Sequence, residues 1–123
     1  MDGAMSGGDR GARMWERLHR SSDFRAVFDG GTSVANALAA LYVLPGRGER
    51  ARIAVAAGRR LGGAVVRNRH RRRWREVIRR RVAPPERVVD LVLVSRARAG
   101  SADFDALERA LRDLLARAGL VGR

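Results

Sequence analysis

The stretch Arg59-Arg60-Leu61-Gly62-Gly63-Ala64-Val65-Val66-Arg67-Asn68-Arg69-His70-Arg71-Arg72-Arg73-Trp74-Arg75-Glu76 gathers arginines around a single carboxylate, Glu76. Guanidinium groups keep their charge and bind phosphate oxygens through a planar fork of donors. They cannot all be buried, because each unpaired charge withdrawn from water costs several kcal/mol. The chemistry they offer is therefore anion binding at a surface, and a polyphosphate chain is the fitting partner. Reactive chemistry is missing from the same stretch. No HExxH pattern, Cys/His cluster or paired carboxylates accompany it. A hydrolytic centre acting on phosphate would bring acidic metal ligands or a histidine pair. His19 and His70 have no carboxylate partner at a suitable spacing, and Asp103, Asp105, Glu108 and Asp113 read as helix-start and surface residues. Gly58 to Gly63 imitates half of a phosphate loop. Ala64-Val65 stands where that motif needs Lys and Ser or Thr, which excludes triphosphate binding of that kind. Gly62-Gly63 could offer backbone N–H groups to a phosphate or simply permit a turn; the sequence supports both equally.

A helix is needed to hold these side chains outward. At about 100° per residue, Val66, His70, Trp74, Val77 and Ile78 share one side, which should pack on a sheet. Asn68, Arg71, Arg72, Arg75 and Arg79 lie opposite, with Arg67 on one flank and Arg69, Arg73 and Arg80 on the other. Like charges four apart disfavour an isolated helix by a few tenths of a kcal/mol per pair. A solvated face usually mixes signs, and this one hardly does, so a bound polyanion explains it better than solvation. His70 and Trp74 read as packed residues rather than a ligand and a stacking platform.

The other elements follow from local pattern. Ser22 and Asp23 suit a helix start, Phe24, Val27 and Phe28 fall on one face, and Gly30-Gly31 ends that short helix. Residues 34–44 are ambiguous: the alanines suit a helix, and Leu41 to Leu44 a strand. Ile53, Val55 and Ala57 alternate as a second strand, expected to form an antiparallel hairpin with the first. The basic helix should run from Ala64 to about Arg81. Val88 to Val94 is almost continuously apolar, as in a buried central strand. Ser101 is the expected cap of a last helix, whose stripe is Phe104, Leu107, Leu111, Leu114, Leu115 and Ala118, with Gly119 as its C-cap. This describes one small α+β domain over residues 14–120, preceded by a Gly-rich tail, residues 1–13, expected to be disordered.

Composition agrees. The 123 residues carry a formal net charge of +13, and 46% are hydrophobic, enough for a packed core. All 26 basic residues are arginine, which a GC-rich coding sequence would explain. There is no cysteine, hence no disulfide framework. No apolar run reaches the roughly 18 residues of a membrane span, and no signal-peptide core is visible. A cytoplasmic protein is expected.

Arg59-Arg60, Gly62, Ala64-Val65, Arg67-Asn68-Arg69, Arg71-Arg72 and Arg75 together resemble the signature of the bacterial ribonuclease P protein subunit. Arg17-Leu18, Asp23-Phe24-Arg25-Ala26-Val27-Phe28 and Gly31 to Asn36 with Leu41-Tyr42 resemble that family's opening helix and first strand, and the likeness spans roughly residues 17 to 118. It implies α-β-β-α-β-α order with a left-handed βαβ crossover, as in the second domain of a ribosomal small-subunit protein, and it makes residues 34–44 strand. It implies a protein cofactor of a catalytic RNA that removes the 5′ leader from precursor tRNA, with Mg²⁺ held mainly by RNA. Carried over by position, Arg59, Arg60, Arg67, Asn68, Arg69, Arg71, Arg72 and Arg75 would bind the catalytic RNA. Phe24, Phe28 and Tyr42 would line a cleft for the single-stranded leader; without the resemblance, Phe24 and Phe28 at i and i+4 would read as plain core. No protein catalytic residue, membrane contact or obligate protein partner is implied. His70, Arg73 and Trp74 depart from the family's usual aliphatics, and Gly58 and Gly63 from its polar residues. The alternative is a ribosomal or other structural RNA-binding protein with no role in processing.

Overall fold

A computed structural model describes residues 14–120; the expected N-terminal tail lies outside the described residues. The element order is β1 (Glu16–Arg17), α1 (Ser21–Gly30), β2 (Thr32–Ala35), β3 (Ala39–Pro45), β4 (Arg52–Ala56), α2 (Ala64–Arg80), β5 (Val89–Ser95) and α3 (Phe104–Arg117). Short 3-10 turns, Arg59–Leu61 and Ala97–Ser101, precede α2 and α3. The strands form one five-stranded sheet in the order β1-β4-β5-β3-β2. The apolar strand β5 is central, as its sequence requires. It runs parallel to β4 and antiparallel to β3.

The strands depart from the sequence expectation in two places. Residues 34–44 are not one strand but parts of two, β2 and β3, paired antiparallel with Ser33 opposite Tyr42. Asn36 makes the break. Its Oδ1 accepts from the backbone N–H groups of Leu38 and Ala39, and its Nδ2 donates to Ala110 O and Asp113 Oδ2 on α3. The expected hairpin between residues 41–44 and β4 does not form, because β5 lies between β3 and β4. Alternation specifies which face of a strand is buried, not which strand lies beside it.

Two helix caps differ as well. Arg20, not Ser22, holds the N-cap position of α1, without a side-chain cap bond. Ser101 belongs to the 3-10 turn, and Asp103 caps α3 by accepting from Ala106 N–H at 2.8 Å. At the far end Gly119, φ +75°, closes α3 with Gly119 N–H to Ala116 O and Leu120 N–H to Leu115 O, the paired bonds of a Schellman motif. At Gly31 a Cβ would sit 2.5 Å from Val27 O and 2.6 Å from Val43 O, so only glycine lets α1 turn so tightly into β2.

The two faces of the sheet differ. Leu41, Ile53, Val55, Leu91 and Leu93 point to one side, where Trp74, Val77 and Ile78 of α2 and Leu107, Leu111, Leu114 and Leu115 of α3 bury them. Replacing any one of these leucines by alanine should cost about 2–5 kcal/mol. Among the described residues, α1 is the one helix over the other face. Leu18, Val27 and Val92 form a small buried cluster there, while Phe24, Tyr42, Leu44, Ala54, Ala56 and Val94 remain partly open. That face is only half covered.

Candidate nucleic-acid interface

The helical face of α2 forms largely as its sequence pattern predicts. His70, Trp74, Val77 and Ile78 are buried. Trp74 donates its indole N–H to Ser95 Oγ at 2.9 Å, and His70 Nδ1 lies 2.7 Å from the same oxygen. Val66 departs from expectation: it is 41% exposed, because the first turn of α2 contributes nothing to the core. A rigid, packed back thus holds the opposite face outward.

On that outward side, Arg59 and Arg60 are exposed on the 3-10 turn, and Gly62 follows at φ +139°, a conformation open to glycine. Asn68, Arg69, Arg72 and Arg75 are exposed, and Arg67 and Arg71 half-buried. Asn68 Oδ1 accepts a hydrogen bond from Arg71 Nη2. Arg67 Nε is buried without a hydrogen-bond partner.

The acidic side chains sit elsewhere. Glu76 pairs with Arg79 and Arg80, Glu108 with Arg81 and Arg112, Asp113 with Arg117, and Asp23 with Arg47 and Arg52. Arg79, expected on the open face, is therefore partly neutralised. Among the described residues no ion pair involves Arg59, Arg60, Arg67, Arg69, Arg71, Arg72 or Arg75. Arg75 shows the resulting strain: its pKa is pushed below the usual guanidinium value, first by loss of water and then by Arg17 and Arg71.

Arg17 is a residue that sequence reasoning missed as part of this surface. It pairs in register with Ile53, on the sheet side that α2 covers. A two-residue edge strand leaves no periodic signal by which to find it. Arg73 has a different task. It donates to Ala99 O and Ala102 O and lies 5.1 Å over the Phe104 ring, fastening α2 to the turn before α3.

The aromatic residues assemble as a second feature. Phe24 and Phe28 of α1 have ring centroids 5.1 Å apart, and Phe28 and Tyr42 of β3 4.7 Å, each pair tilted. Phe28 is 36% exposed, so these rings lie at a partly open face rather than in a sealed core.

Among the described residues no three or more His, Cys, Asp or Glu side chains gather as a metal site, and no helix is long and apolar enough to cross a membrane. The fold and its surfaces define a small cationic α+β domain of the nucleic-acid-binding class, with an unneutralised arginine face and a partly exposed aromatic row.

The ribonuclease P family model matches residues 13–119, and the chain belongs to that family. It is 39% identical over 108 residues to the ribonuclease P protein component of Symbiobacterium thermophilum, covering 87% of this chain and 94% of that one. The Brevibacillus brevis component is 33% identical over 106 residues, with 85% and 84% covered. Among solved structures, the RNase P protein from Thermotoga maritima superposes with a TM-score of 0.71 at 29% identity, over 83% of this chain and 96% of that one. The Staphylococcus aureus RNase P protein, at 23% identity and a TM-score of 0.69, shares the fold, over 86% of this chain and 97% of that one.

Proposed function

We propose that this chain, as the protein component of ribonuclease P in tRNA 5′ processing, binds the catalytic RNA through its arginine face and the precursor's leader through its aromatic cleft. The observation that carries this reading is the unpaired arginine set Arg59, Arg60, Arg67, Arg69, Arg71, Arg72 and Arg75, with Asn68 among them. Two RNAs brought together repel through their phosphates. A cationic ridge displaces condensed counterions and lowers that repulsion. Phe24, Phe28 and Tyr42 stack on leader bases. Stacking suits a leader of variable sequence, because every base has a π face worth about 1–3 kcal/mol. Ala54 and Ala56, on the same face, are small and only partly buried. The protein acts in the cytoplasm and supplies no reacting group.

Mg²⁺, which the resemblance implies for the holoenzyme, finds no ligand cluster among the described protein residues. In this reading the ion is held on RNA, and the protein's part is to bind, orient and neutralise.

Reconstitution tests the reading. Protein and a bacterial ribonuclease P RNA in Mg²⁺ should cleave precursor tRNA at its 5′ end better than the RNA alone at moderate salt. Cleavage by the protein without any RNA subunit would instead make it a self-sufficient nuclease. No effect on the RNA's activity would leave a structural RNA-binding role.

A further inference from the structure

At the entry to α2, Leu61, Val65, Val66, Arg69, His70 and Gly100 line an open groove of about 450 Å³. That lies within the roughly 300–1,000 Å³ typical of small-molecule sites. Val65 is 82% exposed and Val66 41%, two adjacent apolar side chains left in water beside the arginine face. Arg69, on the same wall, is exposed and in no ion pair.

Besides Arg69 and Ser101, the groove presents the polar ring of His70, only 5% exposed. Ser95 Oγ accepts from the Trp74 indole and lies 2.7 Å from His70 Nδ1. The Ser95 hydroxyl has no other acceptor among the described residues, so its proton points to Nδ1 and the imidazole proton resides on Nε2; this tautomer is assigned from the hydrogen-bond chain. Nε2 has no partner among the described residues. It faces Gly100, where an added Cβ would lie 3.0 Å from Nε2. Glycine thus keeps the approach to this donor open. Burial and the neighbouring Arg73 and Arg69 hold the ring neutral by lowering its pKa.

We propose that this groove receives one unpaired nucleotide of an RNA engaged by the α2 arginines, an inference that rests on the proposed function. Leu61, Val65 and Val66 meet the base face. His70 Nε2–H donates to an acceptor on the base edge or the ribose, and Arg69 meets the adjoining phosphate. An apolar protein side chain would satisfy only the valines. A nucleotide satisfies the apolar wall, the His70 donor and the cation together, and the groove continues directly from the arginine face.

The nucleotide belongs to the catalytic RNA, the strand assigned to the arginine face, and one experiment tests this. Val65→p-benzoylphenylalanine is reconstituted with a bacterial ribonuclease P RNA and precursor tRNA, irradiated, and the crosslinked nucleotide is mapped on each strand. The inference expects a crosslink at one unpaired nucleotide of the catalytic RNA. A crosslink confined to precursor tRNA, crosslinks scattered along duplex, or none on either RNA would overturn it. In parallel, Val65→Ser and Gly100→Ala should weaken binding to the crosslinked RNA about tenfold without changing its salt slope, since every phosphate keeps its arginine. Val65 is so exposed that its variant leaves the fold intact, which thermal melting checks. Wild-type affinity in the Val65→Ser protein, or a flattened slope, would also overturn the inference. Arg71→Ala serves as the separate control. If it flattens the slope while the groove variants do nothing, the groove inference alone fails; if it too does nothing, the arginine-face reading fails.

Discussion

Arg52 grips Asp90 along one edge of its guanidinium group: Nε donates to Oδ1 at 2.8 Å and Nη2 to Oδ2 at 2.7 Å. The two residues are register partners on β4 and β5, and Asp90 is 1% exposed. The third nitrogen, Nη1, reaches Asp23 Oδ2 at 3.3 Å in the first turn of α1. This network ties the helix that carries Phe24 and Phe28 to the sheet that carries Tyr42. Removing Arg52 leaves Asp90 buried and uncompensated. Arg52→Leu should therefore cost about 3–5 kcal/mol in urea unfolding, and Arg52→Leu with Asp90→Leu should recover much of it. A loss under about 1 kcal/mol in the single variant would mean the pair is not the tether described.

The aromatic row makes a selective prediction. Phe28 is at the cleft edge, so Phe28→Ala should cost little stability yet remove a stacking partner worth about 1–3 kcal/mol. Binding of precursor tRNA to the reconstituted holoenzyme should fall, with mature tRNA unaffected, and Tyr42→Ala should behave alike. Equal weakening of both substrates would rule out the cleft as the leader's site.

His70 gives stability a pH dependence. Its folded pKa is lowered, first by burial and then by Arg73 and Arg69. The unfolded chain, with a pKa of about 6.5, thus takes up a proton more readily than the native one. Stability contributed by the neutral ring is complete above about pH 6.5 and is lost as pH falls below it, down to the lowered folded value. Urea midpoints measured from about pH 8 to about pH 5 should decline over that window, and His70→Leu should flatten the decline. An identical decline in the variant would assign it to other groups.

Much of this architecture is legible in the residues. The 3.6-residue pattern of α2 places His70, Trp74, Val77 and Ile78 inward, and the unbroken apolar run of β5 places it at the sheet's centre. The family resemblance brings Phe24, Phe28 and Tyr42 together as a candidate row, and their rings do meet. What stays hidden is nonlocal. Parallel pairing of β4 with β5 depends on where α2 returns the chain, so alternation alone suggests a false hairpin. Asn36 breaks the β2–β3 segment through bonds to α3, more than seventy residues away. Arg17 joins the arginine face through a strand of two residues. Val66 falls on the apolar side of the wheel, yet α2 begins before there is any core to cover it.

Electrostatics underlies the proposed RNA binding, so its salt dependence is the most direct test. The affinity of the protein for a bacterial ribonuclease P RNA, followed against salt concentration, should fall steeply for the wild type. In Arg67→Ala, Arg71→Ala and Arg75→Ala the logarithmic slope should flatten by about one per arginine removed, while Arg117→Ala, whose partner is Asp113, should leave it alone. A slope that all four variants share with the wild type would contradict the arginine face as the RNA-binding surface.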